Sequence, residues 1–250
     1  MRRVPRLIDW AAAALGLILA APAAADVQVA VAANFTEPAK QIAAAFEAKT
    51  GTHLALSFGS SGQFYTQIAH GAPFEVLLSA DADRPAQAEK EGLAVPGTRF
   101  TYAIGRLVLF SRTPGLVDGR AAVLRSGRFE KLSIADPALA PYGAAAVQTM
   151  TRLGVYEALK PKLVTGTSVS QAYQFVQSGA AELGFVALSQ VAGEKGGSRW
   201  LVPEADHAPI EQQAVLLKAG QDDAGAKAFL AFLKGPRARK VIEAFGYGTR

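Results

Sequence analysis

One unit recurs from Asp26 onward and restricts the fold more than any other property of the chain. It is a short β-branched or wholly apolar run, a break at Gly, Pro, Ser or Asn, and then an amphipathic stretch. In Val27–Lys40 the alternating Val27, Val29 and Val31 predict a strand. Thr36 is expected to cap the helix that follows, Pro38 is tolerated in its first turn, and Ala39, Ile42, Ala43 and Phe46 form its apolar stripe. Asn34 therefore falls where a strand's carboxyl end meets a helix N-terminus, a place that favours an anion.

The unit returns along the chain. Leu54, Leu56 and Phe58 alternate before Gly59-Ser60-Ser61-Gly62, and a helix is expected from Gln63 to Ala69. The run Phe74–Ser79 reads as a buried strand, and Asp83–Glu91 as a polar helix closed by Gly92. Tyr102–Phe110 reads as one long strand. A second series begins at Lys131–Ala135, breaks at Asp136–Gly143, and continues with a helix at 144–153, a strand at 163–164, a helix from Ser168 to Val176 and a buried strand at Leu183–Leu188. Residues 214–218 read as a returning strand, and 224–245 as helix interrupted at Gly235-Pro236. Strands alternating with helices imply parallel sheets with helical crossovers. Two such groups joined by extended crossings near 102–110 and 212–218 imply two lobes with a cleft between them, residues 26–104 with 217–250 and residues 105–216.

Composition removes several function classes. The chain of 250 residues has no cysteine, so disulfides, thiolate metal sites and cysteine nucleophiles are excluded. His53, His70 and His207 lack metal-ligand spacing. Residues 1–25 carry Arg2, Arg3 and Arg6, an apolar run from Trp10 to Ala21, and Ala23-Ala24-Ala25, the pattern of a cleavable secretory leader. Its removal, three Arg and one Asp, lowers the formal charge from +5 to +3. The remaining cations are scattered, which argues against a nucleic-acid partner.

Asn34, Ser61, Tyr142 and Val169 each lie in a strand-to-helix connection, two in each series. Singly, each has a plain structural explanation: Asn34 and Ser61 as helix caps, Tyr142 as a packed loop aromatic, Val169 as core. Together they describe a cleft lined by an amide, a hydroxyl and main-chain N–H groups, without Lys or Arg. Such donors suit a compact, fully charged oxyanion. Ser60 or Ser61 as a nucleophile is the enzymatic alternative, but Gly59-Ser60-Ser61-Gly62 does not match the Gly-x-Ser-x-Gly elbow. Asp81, Asp83 and Asp136 suit helix starts and turns better than a metal.

The residues Val31-Ala-Ala-Asn-Phe35, Phe58-Gly-Ser-Ser-Gly-Gln63, Gly71-Ala-Pro-Phe-Glu-Val-Leu-Leu-Ser-Ala-Asp81, Ala135-Asp-Pro137 with Pro141-Tyr-Gly143, and Leu183-Gly-Phe-Val-Ala-Leu188 resemble those of the periplasmic molybdate-binding proteins of ABC importers. The resemblance covers essentially all of the chain after residue 25. It implies an α/β fold of the periplasmic binding protein type II, with two lobes, a ligand cleft and two hinge-crossing strands. It also implies capture of molybdate, with tungstate, in the periplasm and delivery to an inner-membrane permease and its ATPase, by a monomer with no cofactor and no catalytic residue. A binding protein for another oxyanion such as sulfate is the alternative. The metal would be met only through its oxygens. In that family a polar side chain after the first strand holds the oxyanion, which falls on Asn34, with the neighbouring N–H of Ala33. Ser61 matches the serine of the second turn, and the other lobe gives the N–H groups of Tyr142 and Val169. Some members add a Tyr hydroxyl from the turn after the Leu-Gly-Phe-Val strand; Ala187 stands there, so that contact is not assigned.

Overall fold

The computed structural model describes residues 26–249. Strand β1 (Val27–Ala32) is buried on both faces because strands pair with it on either side and helices cover the sheet above and below. Val27, Val29 and Val31 pack with Ile42 and Phe46 of helix α1 (Thr36–Thr50), while Ala30 faces Phe64 and Leu77. Burying one such Val, Ile or Phe side chain contributes roughly 1.5–3 kcal/mol. The first series continues with β2 (Leu54–Gly59), α2 (Ser61–Ala69), β3 (Val76–Ser79), α3 (Asp83–Lys90) and β4 (Phe100–Gly105).

The second series comprises β5 (Leu107–Ser111), α4 (Ala122–Ser126), β6 (Leu132–Ala135), α5 (Pro141–Arg152), α6 (Tyr156–Leu159), β7 (Leu163–Gly166), α7 (Val169–Ser178), β8 (Leu183–Ala187), α8 (Leu188–Val191) and β9 (Ser198–Leu201). The chain then returns through β10 (Ile210–Leu216) and ends in α9 (Ala224–Leu233) and α10 (Pro236–Ala244).

These strands form two five-stranded sheets, ordered β2-β1-β3-β10-β4 and β7-β6-β8-β5-β9. In the first, β1 pairs parallel with β2 and β3, and β10 is antiparallel to β3 and β4. In the second, β6 pairs parallel with β7 and β8, and β5 is antiparallel to β8 and β9. The mixed order follows from chain economy: β5 and β10 enter from the opposite lobe and so run against the strands they join. The final helices pack on α1, closing the first lobe with the chain's last residues.

The structure refines several sequence expectations. The single strand expected over 102–110 is two strands, β4 and β5, which divide at Arg106 and belong to different sheets. The returning strand begins at Ile210, and all of β10 belongs to the first sheet, so the return crossing lies between Leu201 and Ile210 rather than at 212–218. We propose that the lobes divide at Arg106 and within residues 202–209. Thr36 is not a cap. A 3-10 turn, Ala33–Phe35, precedes α1, and the Thr36 hydroxyl donates back to the Ala33 carbonyl at 2.8 Å. Strand β9, with buried Trp200, was not legible because Ser198 and Arg199 hide its pattern. The expected leader, residues 1–25, lies outside the described residues; among these, no helix is long and apolar enough to cross a membrane.

Candidate functional site

Ala33, Asn34, Ser61, Tyr142 and Val169 all line one small cavity between the two sheets. Its volume open to a water-sized sphere is about 10 Å³, on the order of the ~10–15 Å³ that admits one water. All five residues are buried. The structure thus brings together every residue expected at the site.

Each wall is a helix start. In α2, Ser60 is the cap: its hydroxyl accepts the Gln63 N–H at 3.3 Å, and the Gln63 side chain takes the Ser60 N–H in return. Ser61 is thereby the first helical residue, with its main-chain N–H outside the helical ladder. Its Oγ accepts the Ala80 N–H at 2.9 Å, leaving the hydroxyl proton to donate elsewhere. In α5, Pro141 takes the first position, where no N–H is required, and Tyr142 the second. Gly143 follows because a Cβ there would press into the Ala135 carbonyl, so this helix can seat against the end of β6 only with glycine. In α7, the Ser168 hydroxyl caps by accepting the Gln171 N–H at 3.3 Å, and Val169 is the first residue. The fourth wall is the 3-10 turn leading into α1.

Four helix starts therefore converge from both lobes. The three α-helix starts each carry about half a positive charge in their unpaired N–H groups, so they present roughly one and a half positive charges without a cation side chain. Among the described residues, no carboxylate and no histidine lines the cavity. A larger depression nearby, about 1090 Å³ of open space, is lined by Asp81, Asp83, Arg84 and Glu211. Its carboxylates make it the poorer place for an oxyanion. Asp81 is engaged with Arg84, accepting from its main chain at 3.0 Å and its guanidinium, and Asp136 accepts the Ala138 N–H at 2.9 Å.

Behind the cavity lies a buried polar cluster that was not expected. The Asn34 amide donates to Gln212 Oε1 at 2.8 Å and to the Tyr247 hydroxyl at 2.9 Å. Both of its side-chain N–H groups are thus committed, whereas the sequence had placed that side chain on the ligand. A ligand can take an N–H from this amide only by releasing Gln212 or Tyr247. Gln212 also accepts from Tyr102 at 3.1 Å and donates to the Tyr142 hydroxyl at 3.2 Å. Burial pushes the Tyr102 and Tyr142 phenols well above their ordinary value, and that of Tyr247 up to about 12. All three remain neutral donors and acceptors across the physiological range. One signal could have revealed the cluster: Glu211, Gln212 and Gln213 interrupt an otherwise apolar strand, and Gln212 is fully buried.

The lobes meet around this seam. The Gly62 N–H donates to Leu139 O at 2.9 Å, and Arg84 to Ala138 O at 2.8 Å. Ser170 donates to Ala33 O at 3.1 Å and Ser189 to Asn34 O at 2.8 Å.

Residues 27–248 match the family model described as bacterial extracellular solute-binding protein. The chain is 58% identical over 252 residues to the molybdate-binding protein ModA of Rhodobacter capsulatus, covering 100% of both. It is 56% identical over 238 residues to the molybdate-binding protein ModA of Azotobacter vinelandii, covering 94% of each. Among solved structures it resembles the Azotobacter vinelandii periplasmic molybdate-binding protein, with a TM-score of 0.87 and 43% identity over 90% of this chain and 100% of that one.

Proposed function

The chain belongs to the bacterial extracellular solute-binding proteins, a family that binds solutes and does not turn them over, and from that premise we propose that it captures molybdate in the periplasm and hands it to an ABC importer. The observation that carries this reading is the small cavity walled by four helix starts and free of carboxylates. Relatives at 58% and 56% identity whose names state molybdate binding support it.

In this reading a bare tetrahedral dianion sits among uncharged donors. Ser61 gives its hydroxyl and main-chain N–H. Tyr142 and Val169 give main-chain N–H groups from the second lobe, and Ala33 and Asn34 give theirs from the 3-10 turn. Hydrogen bonds to an ionised acceptor are about twice as strong as neutral ones. Neutral donors with no acceptor among them reject protonated oxyanions such as hydrogen phosphate, which would need somewhere to place a proton. Tungstate, of the same shape and charge, binds as well; sulfate, smaller, leaves some donors out of reach. Binding draws the lobes together by favouring the closed arrangement over the open one. The closed monomer is what a membrane permease with its ATPase recognises. Calorimetry of the chain without residues 1–25 tests this directly. Tight binding of molybdate and tungstate with weak or no sulfate and phosphate heats is the expected result, and a preference for phosphate or sulfate overturns it.

A further inference from the structure

The turn that faces the cavity is held from behind by serines of the opposite lobe. Ser170 of α7 donates to the Ala33 carbonyl at 3.1 Å, and Ser189 of α8 donates to the Asn34 carbonyl at 2.8 Å. Ser170 is oriented for this: Gln190 Nε2 donates to its oxygen at 3.3 Å, leaving the hydroxyl proton for Ala33. Gln190 is itself fixed by the Ala187 N–H at 3.0 Å. Ser189 is buried and braced by the Tyr247 hydroxyl at 2.9 Å, which also reaches the Asn34 carbonyl at 2.7 Å.

The carbonyl of Ala33 and the N–H of Asn34 belong to one peptide plane and point in opposite directions. A donor on the carbonyl polarises that peptide and makes its N–H a better donor, by perhaps 10–30% per bond in a buried chain of hydrogen bonds. The Asn34 carbonyl and the Phe35 N–H are related in the same way. We propose that Ser170 and Ser189 are positioning residues that form a clasp across the lobes: on closure both engage the rear of the 3-10 turn and fix its orientation, and Ser170, through the Ala33 carbonyl, strengthens the Asn34 N–H that the turn offers the anion. Neither serine lines the anion cavity; both lie along a groove on the far side of the same turn. Lobe closure and ligand grip are thus one event, because the contacts that hold the lobes together are the contacts that sharpen the site. The inference rests on the anion-binding reading given above.

The test uses the S170A, S189A and S170A/S189A variants, with S170T as the conservative replacement that keeps a hydroxyl. Because the chain has no cysteine, spin labels at K90C in the first lobe and K195C in the second report the interlobe distance in every variant. With molybdate as the probe, stopped-flow and calorimetry are expected to show affinity falling about 5- to 30-fold in the double variant. The loss lies in the off-rate, and S170T restores most of the effect of S170A. The ligand-free melting temperature stays at the wild-type value, since the clasp forms only on closure. Unchanged affinity and off-rate, or a ligand-free melting temperature lowered along with the affinity, overturns the clasp. If wild-type protein shows no heat with molybdate or tungstate, the functional reading fails, and the clasp is judged on the labels alone. The closed fraction of the ligand-free protein must then fall in the double variant, and equal distance distributions refute it.

Discussion

The Ser61 hydroxyl oxygen accepts the main-chain N–H of Ala80 at 2.9 Å, joining the start of α2 to the end of β3 in the cavity wall. That bond leaves the hydroxyl proton available to donate, as the proposed contact with an anion requires. Ser61→Ala should therefore weaken molybdate binding by about 1.5–3 kcal/mol, as for a hydrogen bond to a charged group. It also leaves the buried Ala80 N–H without an acceptor, so the ligand-free protein should lose a further ~1–3 kcal/mol of stability. Calorimetry and urea unfolding separate the two effects, and an affinity equal to wild type would remove Ser61 from the site.

Asn34→Asp should be more severe. It sets a carboxylate beside a dianion in a buried cavity, and it exchanges an amide that donates to Gln212 and Tyr247 for a group that accepts only. A loss of at least ~100-fold in affinity is expected, about 2.7 kcal/mol, measured by competition against wild-type protein. Unaltered binding would mean that the anion sits elsewhere.

Tyr142→Phe probes the opposite case. The proposed contact is its main-chain N–H, which the substitution keeps, while the lost hydroxyl serves Gln212 at 3.2 Å. Affinity should change by less than about threefold, and stability should fall by ~1–3 kcal/mol because a buried Gln212 donor is stranded. A large affinity loss with stability intact would assign the hydroxyl to the ligand.

Gly105→Ala tests the hinge. A Cβ at this last residue of β4 would run into the Tyr142 hydroxyl and lie 2.8 Å from Gln212 Nε2. Overpacking of this kind costs about 1–3 kcal/mol. Because Tyr142 and Gln212 belong to the cluster between the lobes, the variant should also shift the spin-label distances toward the open form.

The pH dependence has a definite sign. Burial raises the phenols of Tyr102, Tyr142 and Tyr247, the last to about 12, while in the unfolded chain they ionise near the ordinary value of ~10. Below pH ~10 both states are protonated and this contribution to stability is fully present. Between pH ~10 and 12 the unfolded state loses protons that the folded state keeps, so stability falls as pH rises. Denaturant midpoints from pH 9 to 11.5 should show the decline, with a shallower slope in Tyr142→Phe. Between pH 6 and 9, where no group lining the cavity titrates, molybdate affinity should stay flat.

The site was partly legible because its parts are local. A strand end, a break and a capped helix occupy a dozen neighbouring residues, so the β1, β2, β6 and β7 connections could each be read from Asn34, Ser61, Tyr142 and Val169 without knowing what faced them. Their distribution, two in each lobe, suggested a shared cleft, and resemblance to a known family named the ligand that cleft would hold. The polar cluster was beyond both. Gln212 lies 178 residues from Asn34 along the chain and Tyr247 lies 213 away, and no periodicity ties such distant positions together.

By itself the sequence determined most of the strands and helices and the connections in which helices begin, and hence roughly where N–H groups are left without helical partners, since these follow from side-chain sterics, capping and the burial of apolar faces within short windows. The tertiary structure alone decided which way those starts point, that Asn34 turns its amide to Gln212 and Tyr247, and that Ser170 and Ser189 close on the rear of the same turn. Those relationships depend on how two sheets are set against each other across a hinge, and that geometry is written in contacts between residues far apart in the chain rather than in any one stretch of it.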